Sequence, residues 1–237
     1  GVHFQNHLDG SPTFIGPETS MEIQAGLGSD IAMLFDECPP YPCDEKYAER
    51  SGDLTLRWAA RCKEWINNNK PVAGKTSHRQ LHFGIVQGSI YSNLREQSAK
   101  GLVDLEFDGY AVGGVSVGEP EKEMIAAVDN SVPFLPKDKP RYAMGLGTPS
   151  QMIEMIARGI DMFDCVLPTR VARTGTVYVS QGTLNLKNQK FASDPSPIEE
   201  GCACYSCRNR FSRAYIRHLI KSEEILGIRL TTLHNLY

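Results

Sequence analysis

The sequence predicts an α/β protein: part of a TIM (β/α)8-type barrel, incomplete at about five βα units, followed by a smaller cysteine-bearing subdomain. Three observations carry that expectation. Short apolar runs alternate with longer amphipathic ones as far as residue 168. The runs recur at spacings of roughly 25 to 50 residues, which suits βα units. Beyond residue 168 the pattern changes to alternating residues with glycine turns, and then to a cluster of cysteines.

Taken in order, "SDIAMLFDEC" (29–38) reads as a buried strand. Residues 46–69 read as a helix whose apolar face carries Leu54, Leu56, Trp58, Ala59, Cys62, Trp65 and Ile66. "LHFGIVQG" (81–88) is the next strand, and "SNLREQSAKGLVDL" the next helix. "GYAVGG" (109–114) precedes a helix over 119–130, "RYAMGLG" (141–147) precedes one over 149–158, and "DMFDCVL" (161–167) is a fifth β-run. Residues 1–168 are therefore read as the C-terminal part of a (β/α) barrel, and 169–237 as a hairpin plus metal-binding subdomain. In the latter, "TGTVYVSQGTLNLKNQKF" alternates as a hairpin does, a Pro/Ser/Glu loop covers 194–200, and a basic helix spans about 211–225. A full eight-fold barrel takes about 250 residues. With five units before residue 168 and an opening "GVHFQNHLDGS" without a start methionine, the chain reads as part of a longer protein that lacks about three leading units.

The chain has 237 residues, 41% of them hydrophobic, enough for a large core. Its net charge of -3 means that any nucleic-acid contact must come from a local basic surface. Seven cysteines, odd in number and unevenly placed, point to a reducing compartment, the cytoplasm, and to metal or structural roles. No run of about eighteen apolar residues exists, so no membrane span is expected.

Cys202, Cys204 and Cys207 lie within six residues, and His234 follows after a helix long enough to return the chain. Three thiolates and an imidazole make a closed tetrahedral zinc site that stabilises structure. The competing reading is reduced, buried cysteines with a surface histidine. Cys38, Cys43, Cys62 and Cys165 are scattered and read as small core side chains.

In a parallel barrel the chemistry lies at the C-terminal ends of the strands. Asp36, Gln87, Gly114, Met144 and Asp164 close the five β-runs. Together they suit a polar heterocycle: a carboxylate for the donors of a guanine-like edge, an amide for its carbonyl, a glycine for close backbone approach and a thioether for a ring face. Singly each has another explanation, Asp36 and Asp164 as caps, Gln87 as a loop tie and Met144 as core. Asp164 sits in an apolar run where a buried carboxylate needs partners, and a carboxylate can act as a nucleophile at a sugar carbon. Arg170 and Arg173 follow closely and suit contact with a polyanion, or else belong to a solvated loop. The tail adds Arg208, Arg210, Arg213, Arg217, Lys221 and Arg229, read either as a face that tracks a nucleic-acid backbone or as an ordinary solvated helix.

"SDIAMLFDEC", "GIVQGS", "GGVSVGE", "YAMGLG", "RGIDMFDCVLPTR" and "CxCxxC…HN" together resemble the bacterial tRNA-guanine transglycosylase family, in order over nearly the whole chain. The resemblance implies a zinc-bearing barrel that replaces the wobble guanine of GUN-anticodon tRNAs (Asp, Asn, His, Tyr) with 7-aminomethyl-7-deazaguanine, and a homodimer when full length. It implies Asp164 as the nucleophile, Asp36 on the base edge, and Gln87 and the Gly114 N–H at the base carbonyl. The Val115 carbonyl would accept from the aminomethyl group, Met144 would pack on the ring, and Glu119 would orient the backbone near Val115. Cys38 and Val117 match the bacterial pocket, Arg170 and Arg173 would hold the anticodon, and Cys202, Cys204, Cys207 and His234 would bind zinc. Departures are Thr148, where many bacterial members carry lysine, Val115 where leucine is commoner, and one extra residue after Cys207. The family's general acid/base aspartate and ring-stacking tyrosine are expected in the leading segment that this chain lacks. A rival reading is a non-catalytic tRNA-binding or partner subunit of the same family, or an inactive fragment.

Overall fold

A computed structural model describes residues 1–69 and 79–237, which form two compact units, Gly1–Asp164 and Cys165–Tyr237. The first opens on an antiparallel hairpin, β1 (Val2–Gln5) with β2 (Pro12–Ile15). Helix α1 (Pro17–Leu27) follows, with a proline in its first turn and a left-handed glycine, Gly28, at its end. Neither the hairpin nor α1 was expected. β1 is only four residues long and exposed throughout, so its alternating Val2 and Phe4 enter no core.

Five strands then alternate with helices: β3 (Ile31–Met33), α2 (Glu45–Asn68), β4 (Leu81–Val86), α3 (Ser92–Asp104), β5 (Gly109–Val112), α4 (Glu121–Asp129), β6 (Arg141–Ala143), α5 (Pro149–Ala157) and β7 (Met162–Phe163). They pair in parallel in chain order, β3-β4-β5-β6-β7. The register runs Met33↔Phe83, Val86↔Val112, Val112↔Ala143 and Ala143↔Phe163. This is the parallel βα pattern expected, in the form of an open five-stranded sheet among the described residues, so a complete barrel is not formed by them. Strand β5 is buried along its whole length, as strands covered on both faces are. Ala32, Val86, Val112 and Ala143 share one core with Ala59, Leu102, Phe107 and Met155. Local chemistry fixes the helix starts. The Asp44 carboxylate accepts from the Tyr47 N–H at 2.8 Å, and Thr148 with Gln151 forms a capping box at α5.

The strands are shorter than the apolar runs that predicted them, because the residues closing each run leave the ladder as loops. At 161–167 only a two-residue strand remains, ending at Phe163, and a helix begins at Leu167.

The second unit contains α6 (Leu167–Arg173), the hairpin β8 (Thr176–Val179) and β9 (Gly182–Asn185), then α7 (Tyr205–Arg208), α8 (Arg213–Lys221) and α9 (Ile225–Leu236). Its core joins Val177, Leu186, Phe191 and Ile198 to Ile216, Leu219 and Leu230, with Cys204 and Cys207 among them. The basic helix expected over 211–225 is α8, which ends at Lys221; α9 follows it after a turn at Ser222–Glu224, where Glu223 has φ 58°. Gly227 allows them to pack closely, since a Cβ there would lie 3.0 Å from the Ile220 nitrogen. No described helix is long and apolar enough to cross a membrane.

Candidate active site

Because the five strands run parallel, the residue that follows each one lies on a single edge of the sheet. Gln87, Met144 and Asp164 come immediately after β4, β6 and β7, while Asp36 and Gly114 lie in the loops after β3 and β5. Gln87 is buried and donates from Nε2 to Asp36 Oδ2 at 2.7 Å. That bond fixes the amide orientation, because an ionised carboxylate accepts and cannot donate. It also uses one amide hydrogen to hold Asp36. Burial raises the Asp36 carboxyl above the ordinary aspartate range, and the bond from Gln87 works against that rise. Gln87 Oε1 is left buried without a partner among the described residues. It lies against Gly114, where φ is 60° and a Cβ would collide with it. Only glycine meets both conditions at residue 114.

Beneath this turn lies Arg95, which the sequence did not single out. It stands in the first turn of α3 and is fully buried. Nε donates to the Ser89 carbonyl at 2.7 Å, Nη1 to Gly113 at 2.7 Å and Val86 at 3.4 Å, and Nη2 to Gly114 at 3.0 Å. Burial lowers its pKa to about 10, so the guanidinium remains a cation at neutral pH.

Glu119 accepts from the N–H groups of Ser116 at 2.5 Å and Val117 at 2.8 Å. A trans peptide directs its carbonyl opposite to its N–H, so the Val115 carbonyl faces away from Glu119. Val115 is buried, whereas Val117 and Cys38 are exposed. Met144 is half-buried and is tied through its N–H to the Val112 carbonyl at 3.3 Å.

Asp164 is exposed, not buried within its apolar run as the sequence suggested. Its Oδ1 accepts from the Tyr142 hydroxyl at 2.5 Å and from the Gly145 N–H at 2.8 Å. Burial, then the bond to Asp164, pushes the Tyr142 phenol well above its usual pKa, so it stays a donor. Oδ2 meets no donor among the described residues. One oxygen is thus anchored and the other open.

In the second unit Cys202, Cys204, Cys207 and His234 bring their ligand atoms within 4.8 Å of one another. His234 lies inside α9, not after a helix as expected. Its Nδ1 stands 3.8, 3.4 and 3.5 Å from the three sulfurs. A tetrahedral site with ordinary Zn–S and Zn–N bonds puts such atoms about 3.6 Å apart. His234 Nε2 lies 2.6 Å from the Tyr178 carbonyl. An N–H there selects the tautomer that turns the Nδ1 lone pair toward the thiols. Burial, with neighbouring thiols adding to it, pushes the Cys207 thiol up to about 12. A cation is what would hold such a group as thiolate. These four residues could hold a metal ion.

Arg170 and Arg173 are exposed, three residues apart on α6, and share one helix face. Neither forms an ion pair among the described residues. Arg213 and Arg217 are different: Arg213 binds Asp194 and the Ile198 carbonyl, and Arg217 binds Asn188 and Gln189. The expected basic helix therefore spends two of its arginines on its own unit's loops.

Parallel strands whose trailing residues gather polar groups on one edge, together with a Cys3His cluster in the second unit that could hold a metal ion, mark an α/β protein of the class that places its chemistry at strand ends. The chain belongs to the queuine tRNA-ribosyltransferase family, whose sequence model matches residues 1–237. It is 56% identical over 237 residues to the queuine tRNA-ribosyltransferase of Bacillus velezensis, and all of this chain aligns with 60% of that protein. Likewise it is 55% identical over 240 residues to that of Pelotomaculum thermopropionicum, with 61% of the relative covered. The Staphylococcus aureus protein of the same name is 56% identical, with 60% covered. The chain thus spans about three fifths of the length of the curated relatives it matches.

Proposed function

We propose that the protein is a tRNA-guanine transglycosylase, exchanging the wobble guanine of GUN-anticodon tRNAs for 7-aminomethyl-7-deazaguanine through a covalent aspartyl-ribose. The observation that carries this reading is Asp164: a carboxylate at a strand end with Oδ1 held by Tyr142 and Gly145 and Oδ2 open. Oδ2 attacks C1′ of the ribose, the C1′–N9 bond breaks, and its electron pair leaves with the guanine, which takes up a proton. The incoming base then attacks C1′ through N9, loses a proton, and frees the carboxylate.

The base lies between Asp36, accepting from its Watson–Crick donors, and the Gly114 N–H, which donates to its carbonyl together with the remaining Gln87 amide hydrogen. Met144 packs on the ring, the Val115 carbonyl accepts from the aminomethyl group, and Cys38 and Val117 line the pocket. The burial of Gln87 and its bond to Asp36 support this arrangement. Zinc is the metal that suits the Cys3His donor set and its spacing, and it would hold the second unit's fold and take no part in the exchange. The complete protein is proposed to close a (β/α)8 barrel, to act in the cytoplasm and to form a homodimer.

The test is an adduct. Full-length protein incubated with an anticodon stem-loop containing the wobble guanine should give a species that survives denaturing electrophoresis and is released by free base. A stem-loop that is turned over without any such species would reject the covalent route.

Arg170 and Arg173 are proposed to hold the anticodon backbone. Replacing both by alanine should leave affinity for the free base intact and weaken stem-loop binding. The plot of log K against log salt should flatten by about 1 to 1.5, as expected for two lost phosphate contacts to a single strand. An unchanged slope would show that the two guanidinium groups face solvent when RNA is bound.

A further inference from the structure

We propose that Arg95 is a positioning residue of the base-exchange site, which aims the Gly114 N–H at the carbonyl of the base and strengthens it as a donor. The inference rests on the reading of Gly114 as part of the base pocket, and adds to it a residue outside that pocket.

Arginine is poorly suited to this place by local rules. The first turn of a helix presents the positive end of its dipole, where a cation is unfavourable. A fully buried guanidinium also loses its hydration, and no described carboxylate is bonded to it. What compensates is a fork of donors on backbone carbonyls: Ser89, Val86, Gly113 and Gly114. Val86 ends β4, and the two glycines lie just beyond the end of β5. The side chain therefore ties the ends of two neighbouring strands at the edge where Gln87 and Gly114 stand.

The direction of those bonds is the substance of the proposal. The Gly113 carbonyl points at Arg95, so the N–H of the same trans peptide, which belongs to Gly114, points the opposite way. A peptide group whose carbonyl is bound to a cation is polarised, and its N–H becomes a better donor. The chain guanidinium, Gly113 carbonyl, Gly114 N–H and base carbonyl thus carries positive charge toward an oxygen that gains negative charge as the C1′–N9 electron pair enters the departing ring. The fork matters as much as the charge, because Nη1 and Nη2 hold consecutive carbonyls and so fix both peptide planes.

The experiment uses the full-length protein with guanine and 6-thioguanine, which keeps the ring's donors and replaces the carbonyl oxygen with a weak acceptor. Unmodified protein should prefer guanine. In Arg95→Met the affinity for guanine should fall about tenfold while that for 6-thioguanine changes little, so the preference shrinks by a similar factor. Arg95→Lys keeps a cation without the fork and should fall between the two. A preference undiminished in both variants, with melting temperatures equal to the parent's, overturns the role of Arg95 alone. Where the variants melt lower, the parent decides: its Gly114 amide proton should shift downfield more with guanine than with 6-thioguanine, and equal shifts overturn the proposal. If the parent binds neither base, the pocket reading falls, and this inference with it.

Discussion

Asp164→Asn is expected to reduce the exchange of labelled guanine into tRNA on the order of 10⁴-fold or more in the full-length protein, with no loss of fold. Asparagine keeps an oxygen at the place of Oδ1, so the donors from Tyr142 and Gly145 retain their acceptor. The residue is exposed and belongs to neither hydrophobic core, so the melting temperature should move little. What changes is the second oxygen, which becomes an amide nitrogen unable to form the sugar ester. Base binding should survive, because Asp36, Gln87 and Gly114 are untouched. Measuring exchange and base affinity side by side separates chemistry from binding. Exchange within about tenfold of the parent would remove Asp164 from the nucleophile's role.

The second large effect concerns the Cys3His cluster and the zinc it is proposed to hold. Cys204→Ser should lower zinc content well below one per chain, and the C-terminal unit should melt at least about 10 °C lower. A serine hydroxyl does not ionise at neutral pH and is a poor replacement for thiolate. Cys204 also belongs to the core of its unit, beside Cys207, Ile216 and Leu230. Units below about 70–80 residues seldom bury enough apolar surface to stand without a staple, and Cys165–Tyr237 is of that size. Bound zinc contributes on the order of 10 kcal/mol to small domains that depend on it. Metal analysis and calorimetry on one preparation decide the matter, and full zinc content in the variant would reject Cys204 as a ligand.

The parallel sheet was legible because each of its strands is an apolar run flanked by polar helices, a pattern visible in one dimension. The strand-end residues were legible for the same reason: once the strands are parallel, position after a strand is position in space. The Cys3His cluster followed from three cysteines within six residues. Other features had no such mark. Arg95 sits in "SNLREQSAK", an unremarkable surface-helix sequence, and its burial is decided by carbonyls from β4 and from the turn after β5. Tyr142 read as part of a buried strand, and only the pairing of β6 with β7 brings its hydroxyl to Asp164. No helix was expected over Leu167–Arg173, although proline in a first turn favours a helix start. Helix α1 has the same signal at Pro17 and a glycine at its end, but too weak an apolar face to draw notice.

Strand β7 is two residues long and is laced to β6 at Tyr142↔Met162 and Ala143↔Phe163. The carboxylate proposed to attack the sugar therefore rides on the thinnest rung of the ladder, and two hydrogen bonds to one oxygen set its aim. Rungs of this kind let go at far lower cost than the packed interior. Turnover of the full-length protein is therefore expected to fail on warming before its scaffold melts, and coincident losses of activity and calorimetric structure would reject that.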